Sequence, residues 1–177
     1  YIFGFEESYG YLAGTYVRDK DAVVASMMIC EMAAFYRTKG FSMIQARDNL
    51  YKKYGVYVHT QQSFTCEGKT GMEKMKEIMT GLRENPPAEI GGLKVTKISD
   101  YIKSVSVDTQ TGEQTQITLP KSDVLVFELT GGASAIIRPS GTEPKIKVYY
   151  TTTGAEKASA QNLEKEISKD FQKILGF

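Results

Sequence analysis

Eight consecutive residues, Arg138-Pro139-Ser140-Gly141-Thr142-Glu143-Pro144-Lys145, concentrate the groups that hold an anion. Arg138 offers a planar fork of donors, and Ser140 and Thr142 offer hydroxyls. Gly141 lets backbone N–H groups approach an oxyanion with no Cβ in the way. Pro139 and Pro144 stiffen the two ends and lower the entropy lost on holding the stretch open. The flanking runs 133–137 and 146–150 are apolar and alternating or β-branched, so the spacing predicts two strands with these eight residues as the loop between them. A phosphate fits that density of donors; a plain polar turn would use some of the same residues. The clamp requires an Arg138 guanidinium in solvent and amides at 140–142 that are not spent on other backbone.

A second group lies near the beginning, where the strand-like Tyr1-Ile2-Phe3-Gly4-Phe5 runs into Glu6-Glu7-Ser8-Tyr9-Gly10. Carboxylates leaving the C-terminal end of a strand in an α/β unit are placed to accept hydrogen bonds from sugar hydroxyls, since such folds bind ligands at that edge. A solvated turn would use the same residues, and composition does not separate the two. His59 has no partner at an informative spacing and reads as a boundary or surface residue. Cys30 and Cys66 form no CxxC pair, which points to structural thiols in a reducing compartment and away from a zinc site.

The elements that would carry these groups follow from periodicity. Residues 17–21 lead into a helix to about Lys39, with Val24, Met27, Met28, Met32, Phe35 and Tyr36 on an expected core face and Gly40 as its stop. Ser42 opens a second helix bearing Met43, Ala46, Leu50 and Tyr54, stopped at Gly55. A strand over 56–66 loses its period of two at Gln61-Gln62-Ser63, and the domain boundary is expected inside it, dividing the chain into 1–60 and 61–177. Thr70 and Glu73 have the spacing of a capping box for a helix with Met72, Met75, Met79 and Leu82 on its buried stripe. Strands are expected at 93–98, 101–107, 116–119, 124–129, 133–137 and 146–152, with a tight hairpin at Thr130-Gly131-Gly132. Leu163, Ile167, Phe171 and Ile174 mark a last amphipathic helix. Helix, neighbouring strands, helix is the order of an α+β layer, an antiparallel sheet with helices on one face.

With 177 residues, 41% hydrophobic and a net charge of +1 spread along the chain, the composition is that of a globular protein with a core. It carries no basic field for nucleic acid. No apolar run reaches the roughly 18 residues needed to cross a bilayer, and the expected compartment is the cytoplasm. The abrupt start on a strand suggests a piece of something longer.

In order and approximate spacing, residues 4–10, then Arg18-Asp19-Lys20-Asp21, then 138–145 resemble the α-D-phosphohexomutases, the phosphoglucomutase/phosphomannomutase family. The resemblance covers essentially the whole chain. It implies the second half of the family's third domain, about residues 1–60, followed by a C-terminal fourth domain of TATA-binding-protein-like α+β topology. Glu6 and Ser8 match the sugar-binding loop. Arg138, Ser140, Gly141 and Thr142 match the loop that grips the phosphate not being transferred, with Lys145 as one more positive charge. Lys20 matches a basic cleft residue implicated in general acid–base work; a solvated lysine at a helix N-terminus would look the same. The Glu6-Glu7-Ser8 loop with Gly10 after it resembles the phosphoglucomutase members more than the phosphomannomutases.

The same resemblance implies a phosphorylated hexose as substrate, a phosphoserine relay through a bisphosphorylated sugar, and Mg²⁺ with glucose 1,6-bisphosphate as cofactors of the full-length enzyme. Neither a Thr-Ala-Ser-His-Asn-Pro-like nor an Asp-Gly-Asp-x-Asp-Arg-like loop occurs in this chain. By itself it is therefore expected to bind no metal in the family's manner, to be inactive, and to depend on N-terminal domains of the same polypeptide. A free-standing module for a phosphorylated ligand would use the same Arg138 loop. Nucleic-acid binding is suggested only by topology, which does not carry function.

Overall fold

The computed structural model describes residues 2–6, 10–68, 70–141 and 143–177, and the chain divides into two compact units, Tyr1–Tyr54 and Gly55–Phe177. The division falls at the start of the strand expected to contain it. That strand, β3 (Val56–Thr65), is unbroken and pairs along its whole length with β10 (Lys145–Gly154), from Val56↔Gly154 to Thr65↔Lys145. Cutting it at 60/61 would leave half of a continuous ladder unpaired.

In the first unit, β1 (Phe3–Phe5) and β2 (Tyr11–Ala13) form an antiparallel hairpin followed by α1 (Ala22–Thr38) and α2 (Met43–Tyr54). Asp21 starts α1 by accepting from the Val23 and Val24 amides at 2.9 and 3.2 Å. Ser42 starts α2 through a reciprocal pair, the Gln45 amide to Ser42 Oγ at 3.2 Å and the Ser42 amide to Gln45 Oε1 at 2.8 Å. The expected burial of the α1 apolar face does not occur: no α1 residue is buried, and Phe35 is 57% exposed, as is Phe5 of β1 at 73%. Cys30 is likewise exposed. A hairpin and two helices supply too few layers to cover both sides of an apolar helix. Helical periodicity shows that a face is apolar, and the covering layer is a separate matter.

The second unit closes its own core. Its antiparallel sheet runs in the order β3, β10, β9 (Ser134–Pro139), β8 (Leu125–Leu129), β5 (Leu93–Asp100), β6 (Val105–Asp108), β7 (Gln114–Gln116), with β4 (Glu89–Ile90) pairing β5. Alternate residues Phe64, Ile146, Val148, Tyr150, Ala135, Ile137, Leu125 and Phe127 turn inward against Met75, Met79 and Leu82 of α3 (Gly71–Glu84) and Ile167 and Phe171 of α4 (Lys157–Ile174). This is the α+β layer that the element order predicts. The irregular centre of β3 keeps its alternation, with polar residues turned inward under distant partners. Thr60 Oγ1 donates to Glu164 Oε1 at 2.6 Å, and the Tyr150 hydroxyl donates to Gln62 Oε1 at 3.0 Å.

Three local expectations differ from the structure. Thr70 is the N-cap of α3 but makes no side-chain cap bond, so the capping box does not form. Residues 101–104 are a turn and not the start of a strand, because Asp100 Oδ1 accepts the Ile102 and Lys103 amides at 3.0 and 3.3 Å and Ser104 takes φ 56°. The strand expected at 116–119 is β7, shifted to 114–116 by its pairing with β6.

Asp100 also binds Arg83 of α3, Nε to Oδ2 at 3.2 Å, with both side chains largely buried at 13% and 8% exposure, and Arg83 reaches Asp123 with its other arm. Asp100 thus joins a helix, a sheet and a turn. Replacing it takes the acceptor from the buried Arg83 Nε and from the Ile102 and Lys103 amides, so Asp100→Ala is expected to cost roughly 3–5 kcal/mol of unfolding free energy. Urea unfolding of the two proteins measures it; a loss under about 1 kcal/mol, the level of an exposed pair, would contradict that assignment.

Candidate functional site

The 138–145 stretch is shorter as a loop than its composition implies. β9 takes Arg138 and Pro139 and β10 takes Lys145, with Arg138 opposite Lys147 and Pro139 opposite Ile146, so the two strands claim three of the eight residues. Strand extension is driven by the neighbours: Ile137, Ile146 and Val148 are fully buried, and keeping their alternation requires that the residues between them stay in register. The side chains of Arg138, Lys145 and Lys147 then share the face away from the core. Arg138 is exposed, and neither it nor Lys147 pairs with a carboxylate among the described residues. Sequence reasoning misses Lys147; its spacing of two from Lys145 is the signal that could have found it.

The turn itself is closed from within. The Ser140 amide donates to Lys145 O at 2.8 Å, the Lys145 amide to Glu143 O at 2.7 Å, and the Glu143 amide to Ser140 Oγ at 3.3 Å. The Ser140 N–H is therefore spent on backbone, and the requirement of open amides across 140–142 is not met at its first residue. Lys145 Nζ lies 3.4 Å from Glu143 Oε2, which offsets part of its charge. Gly141 is exposed, and a Cβ there would meet only open space. Thr142 lies outside the described residues. At the far end, the Cys66 amide donates to Pro144 O at 2.8 Å and anchors the turn to the end of β3. What this site presents is a guanidinium and a lysine on a sheet face beside a stiff, glycine-bearing turn, and it can take an anion by charge-assisted hydrogen bonds from Arg138.

In the first unit, Glu6 and Gly10 stand at the two ends of the β1–β2 connection, the Glu6 amide donating to Gly10 O at 2.9 Å. Ser8 lies outside the described residues. The setting is an antiparallel hairpin and not the parallel strand end of an α/β unit, since β1 pairs only with β2 among the described residues. Lys20 comes to this connection from the segment before α1, and its position is held by its neighbour in the chain, Asp21. The Asp21 amide donates to Tyr11 O at 2.8 Å, and Tyr16 Oη donates to Asp21 Oδ2 at 3.1 Å.

The Lys20 ammonium donates to Asp19 Oδ1 at 3.2 Å. That hydrogen bond and the Asp19 charge, with a smaller contribution from the Glu6 carboxylate, raise the Lys20 pKa above its ordinary value. Asp19 moves the other way, held down first by the hydrogen bond from the Lys20 amide and then by the ammonium. Such a lysine stays protonated at neutral pH, which suits a cation or proton donor better than a base. The structure brings Glu6 and Lys20 together in one unit, and Arg138, Ser140 and Lys145 in the other. His59 is exposed on β3, with Nδ1 3.0 Å from Thr151 Oγ1 and its ring stacked on Tyr57. Among the described residues no three His, Cys, Asp or Glu side chains are grouped to hold a metal ion, and no helix is long and apolar enough to cross a membrane.

Comparison with known proteins agrees with this division. The model of the phosphoglucomutase/phosphomannomutase alpha/beta/alpha domain III matches residues 1–54, and that of the C-terminal domain of the same family matches residues 82–169. The phosphoglucomutase of Staphylococcus aureus is 44% identical over 150 residues, covering 85% of this chain and 27% of the relative. That of Staphylococcus epidermidis is 40% identical over 151 residues, covering 85% and 28%. The chain thus spans about a quarter of the length of these relatives. Among solved structures, the open form of the Paramecium exocytosis-sensitive phosphoprotein pp63/parafusin shares the fold with a TM-score of 0.62 at 18% identity, over 96% of this chain and 29% of that one. Two successive domain models in their expected order, together with relatives of this identity, establish that the chain belongs to the phosphoglucomutase/phosphomannomutase family.

Proposed function

We propose that the chain is the substrate-recognition half of a cytoplasmic phosphoglucomutase that interconverts glucose 1-phosphate and glucose 6-phosphate. The observation that carries this reading is the exposed Arg138, unpaired with any carboxylate among the described residues and flanked by Lys147 at the rim of a closed, anchored turn. A guanidinium with no internal carboxylate has its full bidentate capacity for a phosphate. It reads that phosphate without regard to which sugar carbon bears it, as a substrate that must bind in two orientations requires. Glu6 accepts from hexose hydroxyls, with Ser8 beside it in sequence, and Lys20 holds a proton and a positive charge near the reacting group. Ser140, Gly141, Thr142 and Lys145 complete the phosphate loop in this reading, Ser140 through its side chain alone.

The groups for the transfer itself belong to other parts of the polypeptide. In this reading the phosphoserine, the metal and the glucose 1,6-bisphosphate that primes the enzyme belong to N-terminal domains, and the isolated chain is expected to be inactive. Carrying the clamp on a domain distinct from the sugar loop allows closure over substrate to exclude water from the phosphoenzyme.

In the full-length protein, Arg138→Ala is expected to raise the KM for glucose 1-phosphate and to lower kcat/KM on the order of 10- to 100-fold, the worth of one hydrogen bond to a charged group. The melting temperature should hold, since the side chain lies in solvent. Wild-type kinetics in that variant would remove the clamp. Glu6→Ala is expected to lower turnover of the sugar phosphate about tenfold or more while serine phosphorylation by the bisphosphate is less affected; loss of both in equal measure, read by phosphoprotein mass spectrometry and coupled assay, would deny Glu6 a role specific to the sugar.

A further inference from the structure

Gly10 is buried, and the position is held by a residue with no side chain. Space accounts for it. A Cβ on Gly10 would overlap Lys20 Cδ and stand 2.5 Å from Glu6 Oε1 and 2.7 Å from Glu6 Cγ. Two of these are mid-chain carbons, so relief needs the displacement of whole side chains. The backbone is poorly placed to yield, being tied by the Glu6 amide to Gly10 O and by the Asp21 amide to Tyr11 O.

We infer that Gly10 is a positioning residue: the absence of a side chain there lets the Glu6 carboxylate chain and the Lys20 stem cross one small space, which sets both groups at a common place. The inference rests on the proposed roles of Glu6 and Lys20 for its functional meaning, and on the crowding alone for its geometry. A methyl group at position 10 separates the pair. Glu6 then meets the sugar hydroxyl, and Lys20 the reacting group, from shifted positions. Asp19 remains bonded to Lys20, so the lysine keeps its nearest carboxylate and loses its register to Glu6.

The test is a double-mutant cycle in the full-length protein with Gly10→Ala, Glu6→Ala and the double variant, read in two ways. The first is the rate of Lys20 acetylation by acetic anhydride, followed by peptide mass spectrometry with the other lysines as internal standards. Gly10→Ala is expected to speed Lys20 labelling about two- to fivefold through loss of the Glu6 carboxylate's influence on the ammonium. In the Glu6→Ala background, where no Glu6 carboxylate is left for Lys20 to lose, Gly10→Ala should add no more than about a further 1.5-fold. The second is kcat/KM for glucose 1-phosphate, expected to fall on the order of 10- to 100-fold in Gly10→Ala, mainly in kcat, as for a reacting group misplaced by about 1 Å.

Unchanged Lys20 labelling in Gly10→Ala overturns the inference whatever the kinetics, and so does a labelling change that adds fully to that of Glu6→Ala. A wild-type protein with no mutase activity would remove the proposed function and leave the labelling cycle to decide the geometry. Should Gly10→Ala fail to fold, folding of the double variant supports crowding at Glu6, and failure of both places the constraint outside Glu6 and overturns the inference.

Discussion

The register between β9 and β10 is the constraint on which the cationic surface of the second unit depends. Ile137, Ile146 and Val148 have almost no exposure, and a strand turns successive side chains to opposite faces. Burying those three therefore puts Arg138, Lys145 and Lys147 on the outer face together. A slip of one residue would bury the cations and expose the isoleucines, so the hydrophobic core enforces the placement of the charges. β3 locks β10 from its other edge through an unbroken ladder. The chemical face of the second unit is in this sense a by-product of its core.

The two units differ in how complete that enforcement is. The second surrounds its sheet face with α3 and α4 and leaves Phe127, Phe171, Ile167 and Tyr150 with no more than 1% exposure. The first presents Phe3, Phe5, Met28, Ile29 and Met32 around one apolar concavity. A contiguous apolar surface of that kind marks a face made to be covered. The match of residues 1–54 to one domain model of a family whose staphylococcal members are several times longer is in keeping with that.

Within each unit the chemistry sits where the backbone is pinned on both sides. Pro144 is tied to Cys66 and Ser140 to Lys145 around the turn after β9, while Glu6 is tied to Gly10 and Asp21 to Tyr11 around the β1–β2 connection. Pinning lowers the conformational entropy lost when a charged side chain takes up one geometry for a ligand. It also limits the donors on offer, since the Ser140 amide is used within the turn.

Much of this protein was legible in the chain as written. The helices 22–38, 43–54, 71–84 and 157–174, the hairpin at Gly131-Gly132 and the α+β order all follow from periodicity, glycine stops and turn residues, because these act over a few neighbouring positions. The residue types at Glu6, Lys20 and Arg138 are equally local facts. Tertiary structure alone decided the rest. It made Arg138 and Lys145 strand residues, brought Lys147 beside Arg138, turned Gln62 and Thr60 inward under Tyr150 and Glu164, and left the apolar face of α1 uncovered. It also showed that Gly10 is required for room, since only the fold brings Lys20 and Glu6 against it. The physical reason is common to all of these: pairing, burial and crowding depend on partners tens of residues away, and a linear pattern records the residues without recording who meets whom.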